Sequence, residues 1–164
     1  MEKLLIIPTY NERENIAAIL EAVFSMQKNF HVLIIDDGSP DDTAGIVKSL
    51  FGEYPGQLFL EERRGKLGLG TAYIHGFHWA LDRGYRFVFE MDADFSHNPK
   101  DLEKLYDACK YDGGDLAVGS RYVKKGKVKN LVLESYLLSQ EFTEDLQVFQ
   151  KRVVSEADLA SLDD

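Results

Sequence analysis

Short apolar runs alternate with segments of helical period along most of this chain, and that alternation limits the folds open to it. Leu4-Leu5-Ile6-Ile7-Pro8, His31 to Asp36, Leu58-Phe59-Leu60, Tyr85 to Met91 and Leu116-Ala117-Val118-Gly119 read as strands. Between the first two, Ile16, Ile19, Leu20 and Val23 recur at helical spacing. Asn11 stands where it could cap that helix, with Glu14 as its capping-box partner. Ser39-Pro40-Asp41-Asp42 reads as a second helix start, with proline at the first helical position and acids in the first turn. Leu67 to Asp82 reads as a third helix, which Gly84 stops. Asn98-Pro99 opens a fourth, which runs to about Tyr111. Buried strands separated by helices predict an α/β fold, a mostly parallel sheet with helices on both faces. With 164 residues the chain is long enough to bury a core.

In such sheets ligands bind beyond the carboxyl ends of the strands, and the polar clusters of this chain fall there. Pro8-Thr9-Tyr10-Asn11-Glu12 follows the first strand and Asp36-Asp37-Gly38-Ser39 the second. Asp92-Ala93-Asp94 follows the fourth and Ser120-Arg121-Tyr122 the fifth. Asp92 and Asp94 are the sharpest of these signals. In an extended chain, residues two apart share a face and lie roughly 6.6 Å apart. Two hard oxygen donors so placed suit Mg2+ or Mn2+, whose remaining ligands come from water and substrate phosphates. Taken alone, the same tripeptide more often describes a solvated turn, here before the helix at Pro99. The agreement of four clusters on one rim favours a site.

Composition removes several classes. A net charge of −9 argues against wrapping nucleic acid, which needs a basic face. Cys109 is the single cysteine, so neither an intramolecular disulfide nor a thiolate cage is open to the chain, in keeping with a reducing compartment. His75, His78 and His97 show no zinc spacing with one another or with Cys109 and read as structural or surface residues. Gly65 to Gly70 does not follow the first strand, so the dinucleotide fingerprint fails its context test and an NAD-dependent oxidoreductase is disfavoured. No signal-peptide pattern and no apolar run of about 18 residues is present. The expected location is cytoplasmic, with peripheral contact at the cytosolic membrane face left open.

Five segments in order then resemble glycosyltransferase family 2: Pro8-Thr9-Tyr10-Asn11-Glu12, Ile34-Ile35-Asp36-Asp37-Gly38-Ser39, Gly65-Lys66-Leu67-Gly68-Leu69-Gly70, Met91-Asp92-Ala93-Asp94 and Gly119-Ser120-Arg121-Tyr122. Gly70-Thr71-Ala72-Tyr73-Ile74-His75-Gly76 and Asp94-Phe95-Ser96-His97 are most similar to the polyprenol-phosphate (dolichyl-phosphate) mannosyltransferases within it. The resemblance covers roughly residues 3–130. It implies a GT-A fold, Rossmann-like and three-layered α/β/α, over residues 1–130. It also implies inverting transfer of mannose from GDP-mannose to a polyprenyl (dolichyl) phosphate, with Mg2+ or Mn2+ as cofactor. On that resemblance Pro8, Tyr10 and Glu12 line the guanosine pocket, and Ile35 and Asp37 contact base and ribose. Asp92, Ala93, Asp94 and Ser96 surround the diphosphate and its metal, which Asp92, Asp94 and Ser96 hold, and Arg121 faces a phosphate. Asp92, Asp94 and Arg121 are then the residues expected to carry catalysis.

Bland readings stand beside these. Tyr10 could pack on the sheet edge, Glu12 could serve a helix's first turn, and Asp37-Gly38 could simply make a turn. The expected nucleophile, a phosphate monoester with second pKa near about 6, is already an anion and needs no strong base. That accounts for the lack of a convincing catalytic histidine or glutamate. Lys124, Lys125, Lys127 and Lys129 could attract a lipid phosphate or an anionic membrane surface, or form a solvated loop. Residues 131–164 form an acidic, helical-looking tail without the tryptophan and arginines that the family carries there, so the acceptor side is expected to be truncated. The alternatives are a family 2 enzyme for another nucleotide sugar such as UDP-glucose, or a non-catalytic nucleotide-sugar-binding module.

Overall fold

The structure, a computed structural model, describes residues 2–111 and residue 117. Eight elements alternate in chain order: β1 (Lys3–Thr9), α1 (Ile16–Phe24), β2 (His31–Asp36), α2 (Thr43–Ser49), β3 (Leu58–Glu62), α3 (Leu69–Asp82), β4 (Phe87–Glu90) and α4 (Asp101–Lys110). The strands form one sheet in the order β3-β2-β1-β4, and every pairing is parallel. The register sets Thr9 beside Asp36, and Asp36 beside Glu62, so the carboxyl ends of the first three strands finish level with one another.

Alternation along the strands sorts the core into two layers, because successive side chains point to opposite faces. Leu5 and Ile7 of β1 join Val32 and Ile34 of β2 and Phe87 and Phe89 of β4 on one face. There they meet Ile16, Ile19, Leu20 and Val23 of α1, Val47 of α2, and Leu102, Leu105 and Tyr106 of α4. Leu4, Ile6, Leu33, Ile35 and Val88 point the other way, onto Ala72, Phe77, Trp79 and Ala80 of α3. The result is the three-layer α/β/α arrangement expected from the alternation. All four helical-period residues of α1 are buried. Truncating Leu20 to alanine should therefore cost about 2–5 kcal/mol, as large-to-small core changes do.

Several element boundaries move. Asn11 does not cap α1. Its φ of 63° turns the chain sharply, and the amides of Asn15 and Ile16 close back on the Glu12 carbonyl, so the helix begins at Ile16 and no capping box forms. Glu12 accordingly lies outside any helix's first turn. Pro40 is not the first helical residue of α2. Asp41 accepts both the amide and the hydroxyl of Thr43, at 3.0 and 2.6 Å, and Asp42 takes φ 69° before the helix starts. The third strand runs on to Glu62 and the fourth is trimmed to Phe87–Glu90. The stop of α3 is as expected. Gly84 at φ 68° donates to the Leu81 carbonyl and Tyr85 to that of Ala80, the paired closure that a left-handed glycine permits. The expected fifth strand, Leu116 to Gly119, lies outside the described residues except for Ala117, which packs against the α1 and α4 side of the core.

Candidate donor-binding site

The strand order sets β1 and β4 side by side. The chain steps outward from β1 to β2 to β3, then returns to the other flank of β1 as β4. The loops leaving β1 and β4 therefore stand side by side at the carboxyl rim of the sheet, the end where open α/β sheets take ligands. β1 delivers Tyr10, Asn11 and Glu12 to this rim, and β4 delivers Asp92 to Ser96. β2 adds Asp36 to Ser39 from the adjoining position.

On the β1–β2 side a polar lattice holds the loops. Asp36 is buried and accepts from the hydroxyls of Thr9 (2.9 Å) and Ser39 (2.6 Å) and from the Ser39 amide (2.9 Å). These contacts fasten β1 to the loop after β2. Ser39 in turn accepts the Asn11 amide at 2.9 Å, and Thr43 accepts the Glu12 amide at 3.0 Å. The Glu12 carboxylate accepts from the Asn15 side chain at 3.0 Å and is half-buried, which leaves an oxygen to meet a ligand. Tyr10 is 37% exposed, and the Lys66 ammonium stands 4.6 Å from its ring centroid. Pro8 is half-buried opposite Ile35, whose side chain is fully buried against α3. Ile35 thus spends its side chain on the core.

Asp37 does two jobs at once. Gly38 at φ 70° makes the Asp-Gly turn. The Asp37 carboxylate, almost wholly buried, forms an ion pair with Arg63 (2.5 and 2.6 Å to Oδ1), while Oδ2 accepts the Leu67 amide at 3.0 Å. Arg63 goes on to the Thr71 hydroxyl (2.8 Å) and the Gly68 carbonyl (3.3 Å). Residues 63–71 are thereby fastened to the end of β2. A carboxylate has about four acceptor positions, so Asp37 retains room for a ribose hydroxyl beside these donors.

On the β4 side, the pleat argument for Asp92 and Asp94 does not apply, because β4 ends at Glu90 and both residues lie in a bent loop. Asp92 is half-buried and accepts the Tyr73 hydroxyl at 3.2 Å, and its amide donates to His97 Nδ1 at 3.2 Å. His97 is buried and ties the loop back on itself. Asp94 is exposed and accepts the Ser96 amide at 2.8 Å. Burial pushes the Asp94 carboxyl upward, but the hydrogen bonds from the Ser96 side chain and backbone outweigh it and hold the group below its ordinary value. Phe95 between them takes φ 57° and is exposed, while Ala93 is buried. Among the described residues no three histidine, cysteine, aspartate or glutamate side chains converge on a metal position. Two carboxylates, one of them favoured in its ionised form, fit a Mg2+ or Mn2+ ion that takes few protein ligands and fills its shell with phosphates and water.

Arg121, expected to face a phosphate, lies outside the described residues, as do Lys124, Lys125, Lys127, Lys129 and residues 131–164. The structure adds Arg63 and Tyr73, which local reading passed over, and shows His97, read as structural or surface, buried against the Asp92 amide. Tyr73 sat within a stretch carrying the family resemblance, but nothing in the spacing indicated that its hydroxyl meets a residue 19 positions on. Arg63 carried no sequence signal, since its partner is 26 positions away.

The family model described as glycosyl transferase family 2 matches residues 4–158. A polyprenol monophosphomannose synthase of Mycolicibacterium smegmatis is 39% identical over 98% of this chain and 66% of its own length. An undecaprenyl-phosphate mannosyltransferase of Micrococcus luteus is 44% identical over 79% of this chain and 52% of its own. The chain therefore spans between half and two thirds of the length of these relatives. Among solved structures, S. aureus TarS 1-349 in complex with UDP superposes with a TM-score of 0.59 at 22% identity, covering 79% of this chain and 38% of TarS 1-349, and agrees in fold.

Proposed function

The chain belongs to glycosyl transferase family 2, and from that premise we propose that it binds GDP-mannose at the carboxyl rim of its sheet and transfers mannose, with inversion, to a polyprenyl phosphate. The observation carrying this reading is the adjacency of β1 and β4, which sets the loop of Tyr10 and Glu12 beside the loop of Asp92 and Asp94 at the carboxyl rim. Mannose and a polyprenol phosphate are named in the two relatives. Guanine is the base that the resemblance to the polyprenol-phosphate mannosyltransferases implies.

The residues divide the work. Tyr10 offers a flat face to a purine, Glu12 an acceptor to its N–H groups, and Asp37 an acceptor to a ribose hydroxyl. Asp92 and Asp94 hold the divalent cation, with Ser96 keeping Asp94 ionised. When bound, that cation supplies Lewis-acid neutralisation of the charge developing on the departing diphosphate. Tyr73 and His97 fix where the Asp92 carboxylate and backbone stand. The acceptor phosphate attacks as an anion, so the site needs no general base. Arg121 is the residue proposed to orient a phosphate, by bidentate hydrogen bonds. No helix among the described residues is long and apolar enough to cross a membrane. Contact with the lipid acceptor is proposed to be peripheral.

Competition binding tests the donor assignment. With Mn2+ present, GDP should displace labelled GDP-mannose much more effectively than UDP. Equal displacement by the two would remove guanosine and point to another nucleotide sugar.

A further inference from the structure

The Lys66 ammonium stands over one face of the Tyr10 ring, 4.6 Å from its centroid. We propose that Lys66 is a diphosphate-binding residue of the donor site, which leaves the Tyr10 ring for the donor's phosphates when the purine stacks there. The inference rests on the donor reading above.

Lys66 is held at the site by its backbone and free at its tip. The amide of Leu67, its neighbour, donates to Asp37, and Arg63 grips Asp37, Gly68 and Thr71 around it. On the other side, Gly38 and Gly65 approach so closely that a Cβ added at Gly38 would lie 3.0 Å from the Gly65 nitrogen. The segment carrying Lys66 is thus clamped against the end of β2, next to the β1 rim. Its ammonium, by contrast, rides on a flexible four-carbon stem with three rotatable donors.

Charge makes the exchange favourable. The described rim is rich in carboxylates: Glu12, Asp36, Asp37, Asp41, Asp92 and Asp94. A diphosphate entering it needs cations, and two of the nearby arginines are committed. Arg13 reaches the Asp41 carbonyl and Asp42, and Arg63 is bound to Asp37. Lys66 makes no ion pair among the described residues; its recorded partner is the Tyr10 ring. An ammonium over an exposed ring is weakly held, whereas ammonium to phosphate is a charge-assisted hydrogen bond. Purine and phosphate arriving together replace one weak contact with two better ones, a stacked base and a neutralised diphosphate. The diphosphate then has positive charge from Lys66 on one side and, through Asp92 and Asp94, from the cation on the other.

Calorimetric titration of the full chain with GDP and with guanosine, in Mn2+, separates the possibilities. Lys66→Met should weaken GDP by about tenfold or more while guanosine binds as well as before or better, because the ring is uncovered. Lys66→Arg should recover most of the GDP affinity. Unchanged GDP affinity in Lys66→Met would overturn the inference and leave the donor reading standing. Equal losses for GDP and guanosine would also overturn it, reducing Lys66 to a shaper of the loop. A wild-type chain that binds neither ligand refutes the donor reading, and the inference with it.

Discussion

Asp92 and Asp94 lie two residues apart yet stand in different surroundings. The first is half-buried under the Tyr73 hydroxyl and the second exposed beside Ser96. Each substitution to asparagine keeps size and removes charge, so the fold should persist while Mn2+-dependent GDP affinity falls by about tenfold or more. Metal-independent affinity should change little, and titrations with and without Mn2+ read the difference. The acid limb has a sign as well. A carboxyl whose folded pKa is lowered contributes stability that is present above its unfolded value, 3.8, and is lost as pH falls through the lower folded value. Asp94 therefore stays ionised, and metal-assisted binding persists, where an ordinary aspartate begins to protonate. Ser96→Ala removes the hydroxyl that lowers this pKa and should move the acid loss of Mn2+-dependent GDP binding to higher pH. An acid limb identical in the variant and the wild type would show that Asp94 is not the group being titrated.

Elements are locked together by contacts that leave little room. Gly76, in the middle of α3, lies against β1 so closely that an added Cβ would meet Ile6 Cδ1 at 2.7 Å. Gly76→Ala would improve helix propensity, but the clash wins. Overpacking of this kind costs about 1–3 kcal/mol, against about 1 kcal/mol gained from propensity. A lowered urea midpoint with unchanged slope is the expected result. A second tie joins the start of β2 to the entry of β4, where Tyr85 Oη and His31 Nδ1 lie 2.7 Å apart. Burial pushes the Tyr85 phenol up to about 12, with Arg83 opposing weakly. A phenol with a raised folded pKa stabilises the fold fully below its unfolded value, 10.0, and that contribution is lost as pH rises towards about 12. Thermal melts should therefore drop between these values, and Tyr85→Phe should flatten that drop while lowering stability near neutrality by about 1 kcal/mol for the lost hydrogen bond. On the same pair, burial lowers the His31 pKa, so its contribution is complete above 6.5 and declines as pH falls below that.

At the scale of the whole molecule, donor binding and folding are linked. A ligand at about 100 times its Kd stabilises a fold by about 2.7 kcal/mol, so GDP with Mn2+ should raise the melting temperature by several degrees. UDP with Mn2+ should raise it less, and Asp94→Asn should lose the metal-dependent part of the rise. A melt indifferent to both GDP and UDP with Mn2+ would count against any nucleotide site on this rim.

Local pattern carried the elements. Apolar runs and helical spacing located β1, β2, α1 and the Gly84 stop of α3 from the residues alone, because side-chain periodicity and a left-handed glycine are properties of neighbours in sequence. The same local reading misjudged the entries to α1 and α2. Asn11 and Asp42 adopt positive φ, and the Asn11 and Glu12 amides turn to Ser39 and Thr43 across the rim instead of to the helix that follows. The polar clusters of the rim were legible as well, since each follows directly on a strand. Only the tertiary structure decided the order β3-β2-β1-β4, and with it which clusters are neighbours on the rim. It alone brought Arg63 to Asp37, Tyr73 to Asp92 and Lys66 to Tyr10. Those partners are far apart in sequence, and their meeting depends on strand pairing and on which face each helix covers. Sequence thus determined what each segment becomes and which residue types stand at its end. The packing of the sheet against α3 determined which of them meet, because contact across a fold is set by the geometry of whole elements.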